Sequence, residues 1–256
     1  MKESRYPPVT TLSAAAHKAV VRDIFGTVHR RYDLMNHLLS FRRDVGWRNA
    51  AIRLMRFGPA GRFLDVATGT ADLALAAARR YRGISVTGVD MAVRMLRIGM
   101  RKVEEAGLSG RIRLVAGDAL SLPLTDGSFE VSAIAFGLRN IPDKIGALKE
   151  MVRATAPGGQ VMVLEMTFDP APFFRPLYGF YLRKILPRIA ALLQPRTGTY
   201  HYLGDSIMHF PGPRALAALM REAGLEAVRF HRLTFGTAYL HIGRVPGGTA
   251  QHRGGV

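Results

Sequence analysis

Cysteine is absent from the chain, and its absence removes several classes of chemistry. Disulfide frameworks, thiolate nucleophiles and cysteine-ligated zinc or iron–sulfur centres are all excluded. Long apolar runs are also missing, because arginines and prolines interrupt every hydrophobic stretch before it reaches the roughly 18 residues that cross a bilayer. The first residues lack the continuous apolar segment of a signal peptide. We therefore expect a cytoplasmic protein that does not span the membrane.

Acidic residues are scarce in both flanks of the chain. The formal net charge is +17 at pH 7, with 36 lysines and arginines against 19 acidic residues. Residues 1–62 hold 12 basic and 4 acidic side chains and residues 170–256 hold 11 and 3, whereas residues 63–169 hold 13 and 12. A genomic bias toward arginine explains why arginine is used instead of lysine, but it does not explain why the excess of basic residues avoids the central segment. The flanks are expected to face something anionic: nucleic acid, an acidic membrane surface or a phosphate-rich substrate.

Short apolar strands alternate with amphipathic helices in the middle of the chain, which predicts an α/β fold with a mostly parallel sheet. The last two strands are close enough in sequence to form an antiparallel hairpin. Strands are predicted at 62–67, 84–90, 111–117, 129–136, 160–166, 226–233 and 237–245. Helices are predicted at 72–80, 91–106, 144–155 and 214–223.

The sequence predicts one domain over residues 19–245, between a flexible N-terminus and a flexible tail. An aromatic, proline-containing and basic stretch interrupts the strand–helix rhythm and is too long for a simple loop, so it is predicted to be a helical insertion. The predicted parts are the N-terminus 1–18, a helical cap 19–61, a core 62–166, the insertion 167–212, the last helix and strands 213–245, and the tail 246–256.

Acidic residues stand at the ends of three successive predicted strands. Asp65 ends the first strand before the turn through Gly69, Asp90 ends the second, and Asp118 follows the third. A carboxylate about 20 residues beyond such a turn accepts hydrogen bonds from both ribose hydroxyls of a nucleotide. The dinucleotide motif G-x-G-x-x-G is absent, which disfavours NAD and FAD. S-adenosyl-L-methionine, which has ribose and adenine but no phosphate, fits these features better. Any one of the acidic residues, taken alone, is more simply explained as a helix cap.

Several motifs carry a resemblance to a known family. The most distinctive is Phe-Gly-Leu-Arg-Asn at 136–140, directly after the fourth strand. The others lie at 32–41, at Trp47, at 65–72, at 156–159 with 164–165, at 186–189 and at 200–207. From about Ile24 to Val245 the chain resembles the ubiquinone/menaquinone biosynthesis C-methyltransferases, which are class I S-adenosylmethionine-dependent methyltransferases.

The resemblance implies a Rossmann-like class I fold with a helical cap insertion, and C-methylation of a polyprenyl quinol with S-adenosyl-L-methionine as cofactor. No metal is required. A fixed positive charge after the fourth strand, on Arg139, would favour the quinol oxyanion. The alternative is that Arg139 forms an ion pair with Asp143 or another nearby carboxylate. The implied catalytic residues are Arg139, Asn140 and Tyr32, and the implied cofactor-binding residues are Asp65, Gly69, Thr70, Asp90, Met91, Asp118 and Ala119.

The chain departs from the family pattern at three places. Asp44-Val45 stands where the family usually has a His-Arg pair, so that pair has no counterpart here. Ala71 replaces a usual glycine, which is tolerable if the residue keeps a negative φ. Ala135 stands where relatives often have serine, so one hydroxyl contact with the cofactor is lost.

The insertion mixes aromatic and aliphatic residues with Arg175, Arg183, Lys184 and Arg188, a composition typical of a surface that contacts an anionic membrane. The alternative is that these apolar residues pack the insertion onto the core. A homodimer is left open, and nucleic acid is not expected as a partner. Two other functions remain open: a methyltransferase for RNA or another small aromatic, and a quinone-lipid-binding protein without catalysis.

Overall fold

The computed structural model describes residues 42–185 and 199–247, together with positions 16, 40 and 188; for residues 199–203 it describes the backbone alone. The predictions for residues 1–18, for Tyr32 and for most of the tail lie outside the described residues. The division of the chain into cap, core and insertion stays a prediction.

Seven strands form a single sheet, which confirms the predicted fold class. The order across the sheet is β3-β2-β1-β4-β5-β7-β6. The first five strands run parallel, whereas β7 is antiparallel to both β5 and β6. The strands are β1 Arg62–Val66, β2 Ser85–Asp90, β3 Ile112–Ala116, β4 Phe129–Ala135, β5 Thr155–Met166, β6 Glu226–Leu233 and β7 Ala238–Arg244.

The helices cover both faces of the sheet, and the four predicted helices are present within two residues of their predicted ends. A π-helical turn, Tyr181–Ile185, directly follows the helix Arg175–Phe180. Short 3-10 turns at Leu138–Asn140 and Thr234–Gly236 follow β4 and β6. The described helices are α1 Arg43–Leu54, α2 Asp72–Arg80, α3 Val93–Glu105, α4 Lys144–Ala154, α5 Arg175–Phe180, α6 Thr199–Met208 and α7 Pro213–Glu222.

Strand β1 shows why the sheet is buried on both sides. Its neighbouring residues Phe63 and Leu64 point to opposite faces, and each is 0% exposed. Phe63 belongs to an apolar cluster with side chains of α1, α2 and α5, and Leu64 belongs to a second cluster with α4 and α7. A parallel sheet with helices on both faces requires apolar side chains at successive positions of its central strands.

Strand β5 begins earlier than the sequence predicts. It was expected at 160–166 but starts at Thr155, which pairs with Phe129. The register then shifts, so that Val131 pairs with Gln160 and the Pro-Gly-Gly segment lies within an irregular part of the strand. A buried hydrogen bond of 2.6 Å between the hydroxyls of Ser132 and Thr155 holds this irregular start against β4.

Residue 71 has a backbone conformation that the sequence argument did not expect. A negative φ is the condition under which alanine would be tolerated at this position, but Ala71 has a φ of 67°, in the left-handed region. Gly69 is also left-handed, with a φ of 59°. The turn from β1 into α2 needs this conformation to direct the helix away from the strand. A left-handed alanine costs about 1–2 kcal/mol because its Cβ approaches the following carbonyl oxygen.

We expect Ala71→Gly to raise the free energy of unfolding by about 1 kcal/mol, because glycine adopts a left-handed backbone without that penalty. The matched control is Ala74→Gly inside α2, where glycine is expected to cost about 1 kcal/mol or more. Urea denaturation measures both variants. A loss of stability in Ala71→Gly would contradict the strain argument.

Candidate functional site

The turns after β1, β2, β3 and β4 surround one cleft at the carboxyl edge of the sheet. The cleft encloses about 760 Å³, part of it open to solvent. The lining residues are Ala67, Gly69, Val89, Asp90, Met91, Ala92, Met95, Gly117, Asp118, Ala119, Ala135, Phe136, Gly137, Asn140 and Ile141.

Asp90 is fixed at the end of β2 by backbone amides. Its Oδ2 accepts from Gly69 N at 2.8 Å, and its Oδ1 accepts from Ala92 N at 2.7 Å. Burial raises the pKa of Asp90, and the backbone hydrogen bonds oppose this rise. The Met91 amide also hydrogen-bonds this carboxylate, so three of its roughly four acceptor positions are used and about one remains for a hydroxyl group of a ligand.

Asp118, Ala119, Met91 and Asn140 line the same cleft, as the sequence predicts. Asp118 Oδ1 accepts from Leu120 N at 3.1 Å, which holds the carboxylate beside the end of β3. The structure therefore brings together six of the predicted site residues, counting Gly69 and Asp90. Their roles in binding stay a prediction.

Asp65 and Thr70 lie on a second, narrower cleft instead. Asp65 is 1% exposed, and its Oδ2 accepts from the Thr68 hydroxyl at 2.6 Å and from Ala74 N at 3.2 Å. Burial raises the pKa of Asp65 to about 7, although both hydrogen bonds oppose the rise. The Thr70 hydroxyl accepts from Lys102 Nζ at 3.1 Å. Asp65 thus closes the turn between β1 and α2.

Arg139, which precedes Asn140 in the sequence, is buried in an ion pair with Glu165. Its Nη1 donates to Glu165 Oε1 at 2.6 Å and to the Phe136 carbonyl at 2.7 Å, and its backbone N donates to Glu165 Oε2 at 3.1 Å. The side chains of the pair are 2% and 1% exposed. Arg139 does not line the cleft directly. The carboxylate partner is Glu165, whereas Asp143 caps α4 through Gly146 N.

Asp44 has a partner that the sequence analysis missed. It is 2% exposed, and its Oδ2 lies 2.6 Å from Arg48 Nη1, one turn further along α1. The Ser40 hydroxyl donates to its Oδ1 at 2.6 Å. The i,i+4 spacing of an acid and a base was the sequence signal for this pair. Trp47, on the same helix, is a buried anchor whose Nε1 donates to Thr234 Oγ1 at 2.8 Å.

Further lining residues were also missed by the sequence argument. Ala67, Ala92 and Gly137 each lie within two residues after a strand end, so the strand boundaries alone could have indicated them. Met95 and Ile141 reach the cleft from the first turn of α3 and from the segment after the 3-10 turn. Those two positions depend on helix direction, which the sequence pattern does not specify.

The segment through α5 has an inner and an outer face. Tyr178, Tyr181 and Leu182 are buried, and burial raises the pKa of Tyr178, which the positive charge of Arg139 opposes. On the outer face Phe173, Leu177 and Phe180 are 75%, 59% and 53% exposed. The same helix therefore lies next to Arg139 on one side and presents apolar side chains to the exterior on the other.

No group of three or more histidine, aspartate or glutamate side chains in the described residues is arranged to hold a metal ion. No helix in the described part of the chain combines the length and the apolar character needed to cross a membrane.

Sequence comparison agrees with the geometry of the cleft. The profile of the ubiE/COQ5 methyltransferase family matches residues 13–245. The chain belongs to the ubiE/COQ5 methyltransferase family. A demethylmenaquinone methyltransferase of Thermus thermophilus is 44% identical over 87% of this chain and 100% of its own length. A protein of Geotalea daltonii named ubiquinone/menaquinone biosynthesis C-methyltransferase UbiE is 39% identical over 87% and 95% of the two chains.

Solved structures share the fold of this ubiE/COQ5 family member at low sequence identity. A SAM-dependent methyltransferase of Thermotoga maritima superposes with a TM-score of 0.64 at 20% identity, over 88% of this chain and 99% of the other. Phosphoethanolamine N-methyltransferase 2 of Haemonchus contortus, solved with S-adenosyl-L-methionine, has a TM-score of 0.63 at 12% identity, over 88% and 60%. These likenesses establish the class I methyltransferase fold.

The buried ion pair leads to a stability prediction. Glu165→Gln is expected to lower the free energy of unfolding by about 3–5 kcal/mol, because it leaves the Arg139 charge buried without its counter-ion. The control is Glu150→Gln, which breaks a partly exposed pair with Arg153 and is expected to cost about 1 kcal/mol or less. Chemical denaturation compares the two, and equal losses would contradict the argument.

Proposed function

We propose that this protein transfers a methyl group from S-adenosyl-L-methionine to a ring carbon of a polyprenyl quinol. The observation that carries the proposal is the cleft itself, where Asp90 and Asn140 face the same space in a chain of the ubiE/COQ5 family. The names of the two relatives, one for demethylmenaquinone and one for ubiquinone and menaquinone biosynthesis, support the acceptor class.

The residues present fit S-adenosyl-L-methionine. Asp90 keeps an acceptor position for a ribose hydroxyl, and Met91 and Val89 form an apolar wall. Asp118 and Ala119 border the end of the cleft that is proposed for adenine. No cation among the residues that line this cleft would serve a pyrophosphate. When bound, S-adenosyl-L-methionine supplies an electrophilic methyl group whose leaving group needs no protonation.

The chain's task on the acceptor side is to make the quinol ring electron-rich. A quinol hydroxyl has a pKa near that of tyrosine, about 10, and its loss of a proton activates the ring carbon. Asn140 is 8% exposed at the cleft wall and is proposed to orient the ring by a hydrogen bond. Arg139 does not line the cleft, so it is proposed to favour the oxyanion from behind Asn140, through an ordered water. Because Glu165 compensates its charge, this effect is weaker than that of an isolated cation.

Tyr32 remains the third proposed catalytic residue, from the N-terminal motif. It lies outside the described residues, so its role rests on the family resemblance.

The outer face of α5 supports contact with an anionic membrane, where a polyprenyl quinol resides. Phe173, Leu177 and Phe180 are the exposed apolar residues, and Phe235 from the turn after β6 lies 5.8 Å from the Phe173 ring, centroid to centroid. Phe235 is itself 57% exposed, and the sequence analysis did not single it out. Arginines and lysines of the same segment would meet the acidic headgroups. We propose that this surface lies on the inner face of the cell membrane.

The first experiment offers labelled S-adenosyl-L-methionine with reduced short-tailed demethylmenaquinol, its benzoquinol counterpart and total RNA as acceptors. We expect label in a quinol and none in RNA, with mass spectrometry locating the methyl group on a ring carbon. Labelled RNA with unlabelled quinols would replace the proposal by an RNA methyltransferase. Cofactor binding without transfer to any acceptor would favour a non-catalytic quinone-lipid-binding protein.

A second experiment tests Arg139 without leaving a buried charge unpaired. The double variant Arg139→Gln/Glu165→Gln is expected to lower kcat about tenfold, less than the ~100-fold of a lost direct oxyanion donor because Glu165 compensates the charge of Arg139. The rising limb of the pH profile is expected to shift to higher pH. The affinity for S-adenosyl-L-methionine should change little. Glu150→Gln/Arg153→Gln, which neutralises a partly exposed pair, is the control. Equal loss of turnover and cofactor binding would reject this role.

A third experiment tests the membrane contact by sedimentation with vesicles containing anionic lipid. Replacing Phe173, Leu177 and Phe180 with serine is expected to weaken binding at least about tenfold, since each loses apolar area that the bilayer would bury. Met100→Ser, at an apolar side chain 57% exposed on α3, is the control. Binding of the unaltered protein should fall as salt rises. Vesicle binding that is unchanged both by added salt and by the triple substitution would contradict the proposal.

A further inference from the structure

Tyr178 is a buried tyrosine whose hydroxyl has no hydrogen-bond partner among the described residues. It lies on the inner face of α5 and is 8% exposed. The hydroxyl of Tyr239, by contrast, donates to Asp169 Oδ2 at 2.9 Å. Buried tyrosine hydroxyls usually find a partner. The hydroxyl of Tyr178 is therefore available to a ligand.

Three aromatic rings hold the Tyr178 ring in place. It stacks on the rings of Phe168, Phe174 and Tyr181, with centroid distances of 5.8, 6.1 and 6.5 Å and interplanar angles of 21°, 16° and 14°. Close packing of this kind restricts rotation about the side-chain bonds, so the direction of the Cζ–Oη bond is fixed. The hydroxyl is thus held in position without a hydrogen bond of its own.

The hydroxyl lies on the side of α5 that faces the 3-10 turn after β4. Burial raises the pKa of Tyr178, and the positive charge of Arg139 opposes that rise, so the charge acts on the hydroxyl. The same turn carries Asn140, which lines the cleft at the carboxyl edge of the sheet. Phe136, another lining residue, belongs to the same apolar cluster as Tyr178. Because its pKa stays above the usual value, the phenol keeps its proton at neutral pH and is a hydrogen-bond donor.

The oxyanion of the acceptor needs hydrogen-bond donors that reach it directly. Asn140 lines the cleft, whereas Arg139 does not, and Glu165 compensates the charge of Arg139. A phenol that is fixed beside a cation and shielded from water is an effective donor to an oxyanion, since it need not reorient when the negative charge develops. A neutral donor also costs less free energy to bury than a second charged side chain.

We propose that Tyr178 donates a hydrogen bond from its Oη to the ring oxygen of the acceptor that becomes negatively charged, and so stabilises the oxyanion directly. The inference rests on the proposed function in its choice of acceptor, a quinol. Tyr178 keeps its own proton throughout and transfers none. Its part is to lower the free energy of the ionised acceptor, while Asn140 orients the ring.

The test uses Tyr178→Phe, which removes the hydroxyl and keeps the stacked ring. We expect kcat for methyl transfer to the quinol to fall about 100-fold, the scale of one lost oxyanion donor, and the affinity for S-adenosyl-L-methionine to stay within about twofold. The rising limb of the pH profile should move to higher pH, because the oxyanion loses a donor. The thermal midpoint should not fall, since the hydroxyl bonds no described protein group. A lower midpoint with an unchanged pH profile would show a structural role and overturn the proposal.

Tyr239→Phe is the matched control. Tyr239 is 5% exposed, and its hydroxyl already has Asp169 as a partner, away from the residues that line the cleft. This variant is expected to lower the thermal midpoint and to leave kcat and the pH profile unchanged. An unchanged kcat in Tyr178→Phe, or an equal loss of kcat in both variants, would overturn the proposal.

A binding measurement separates this inference from the proposed acceptor. The probe is a nitronaphthol, whose oxyanion is coloured, titrated with the full chain in the presence of S-adenosylhomocysteine. We expect the unaltered protein to lower the pKa of the bound probe, and Tyr178→Phe to remove most of that shift. If the protein methylates no quinol but shows this difference, the acceptor is wrong and the role of Tyr178 stands. If it methylates a quinol and both proteins give the same probe pKa and the same kcat, the role of Tyr178 is wrong and the acceptor stands.

Discussion

The parallel pairing of β1 on both of its sides is the constraint on which the site depends. Val66, the last residue of β1, pairs with Val89 of β2 and with Ile134 of β4, and Asp90 pairs with Ala116 of β3. Four chain segments therefore end at one edge of the sheet and turn there together. The shared direction of the strands therefore brings residues that are far apart in sequence to this edge, and no specific contact between each pair is needed.

Hydrogen bonds then convert this shared edge into a fixed arrangement of charges. Asp90 ties the turn after β1 to the end of β2, and Glu165 ties the 3-10 turn after β4 to the end of β5. Both carboxylates accept backbone amides, so their positions follow from the main chain rather than from mobile side chains. The charge excess of the flanks has little part in this, because the acids and bases of the central segment nearly balance.

The sequence was most informative where local pattern and strand ends coincide. The apolar strands, the helix at 72–80 and the placement of Asp90, Asp118 and Asn140 at one edge could be predicted, because parallel strands share a direction. The Arg139–Glu165 pair could not, since the partners are 26 residues apart and meet only through the register of β5. The left-handed Ala71 escaped prediction because the sign of its φ is set by the path of the turn. The roles of these residues need measurement.

Strand β7 comes late in the chain yet lies inside the sheet, between β5 and β6. During synthesis β5 consequently presents an unpaired edge until residues 238–244 leave the ribosome, and such an edge can pair with other chains. The sheet closes only when β7, already next to β6 in the chain, pairs antiparallel with β5. That pairing joins residues distant in sequence and is therefore slow. Chaperone demand and aggregation in the cell should concentrate in the interval before that strand arrives.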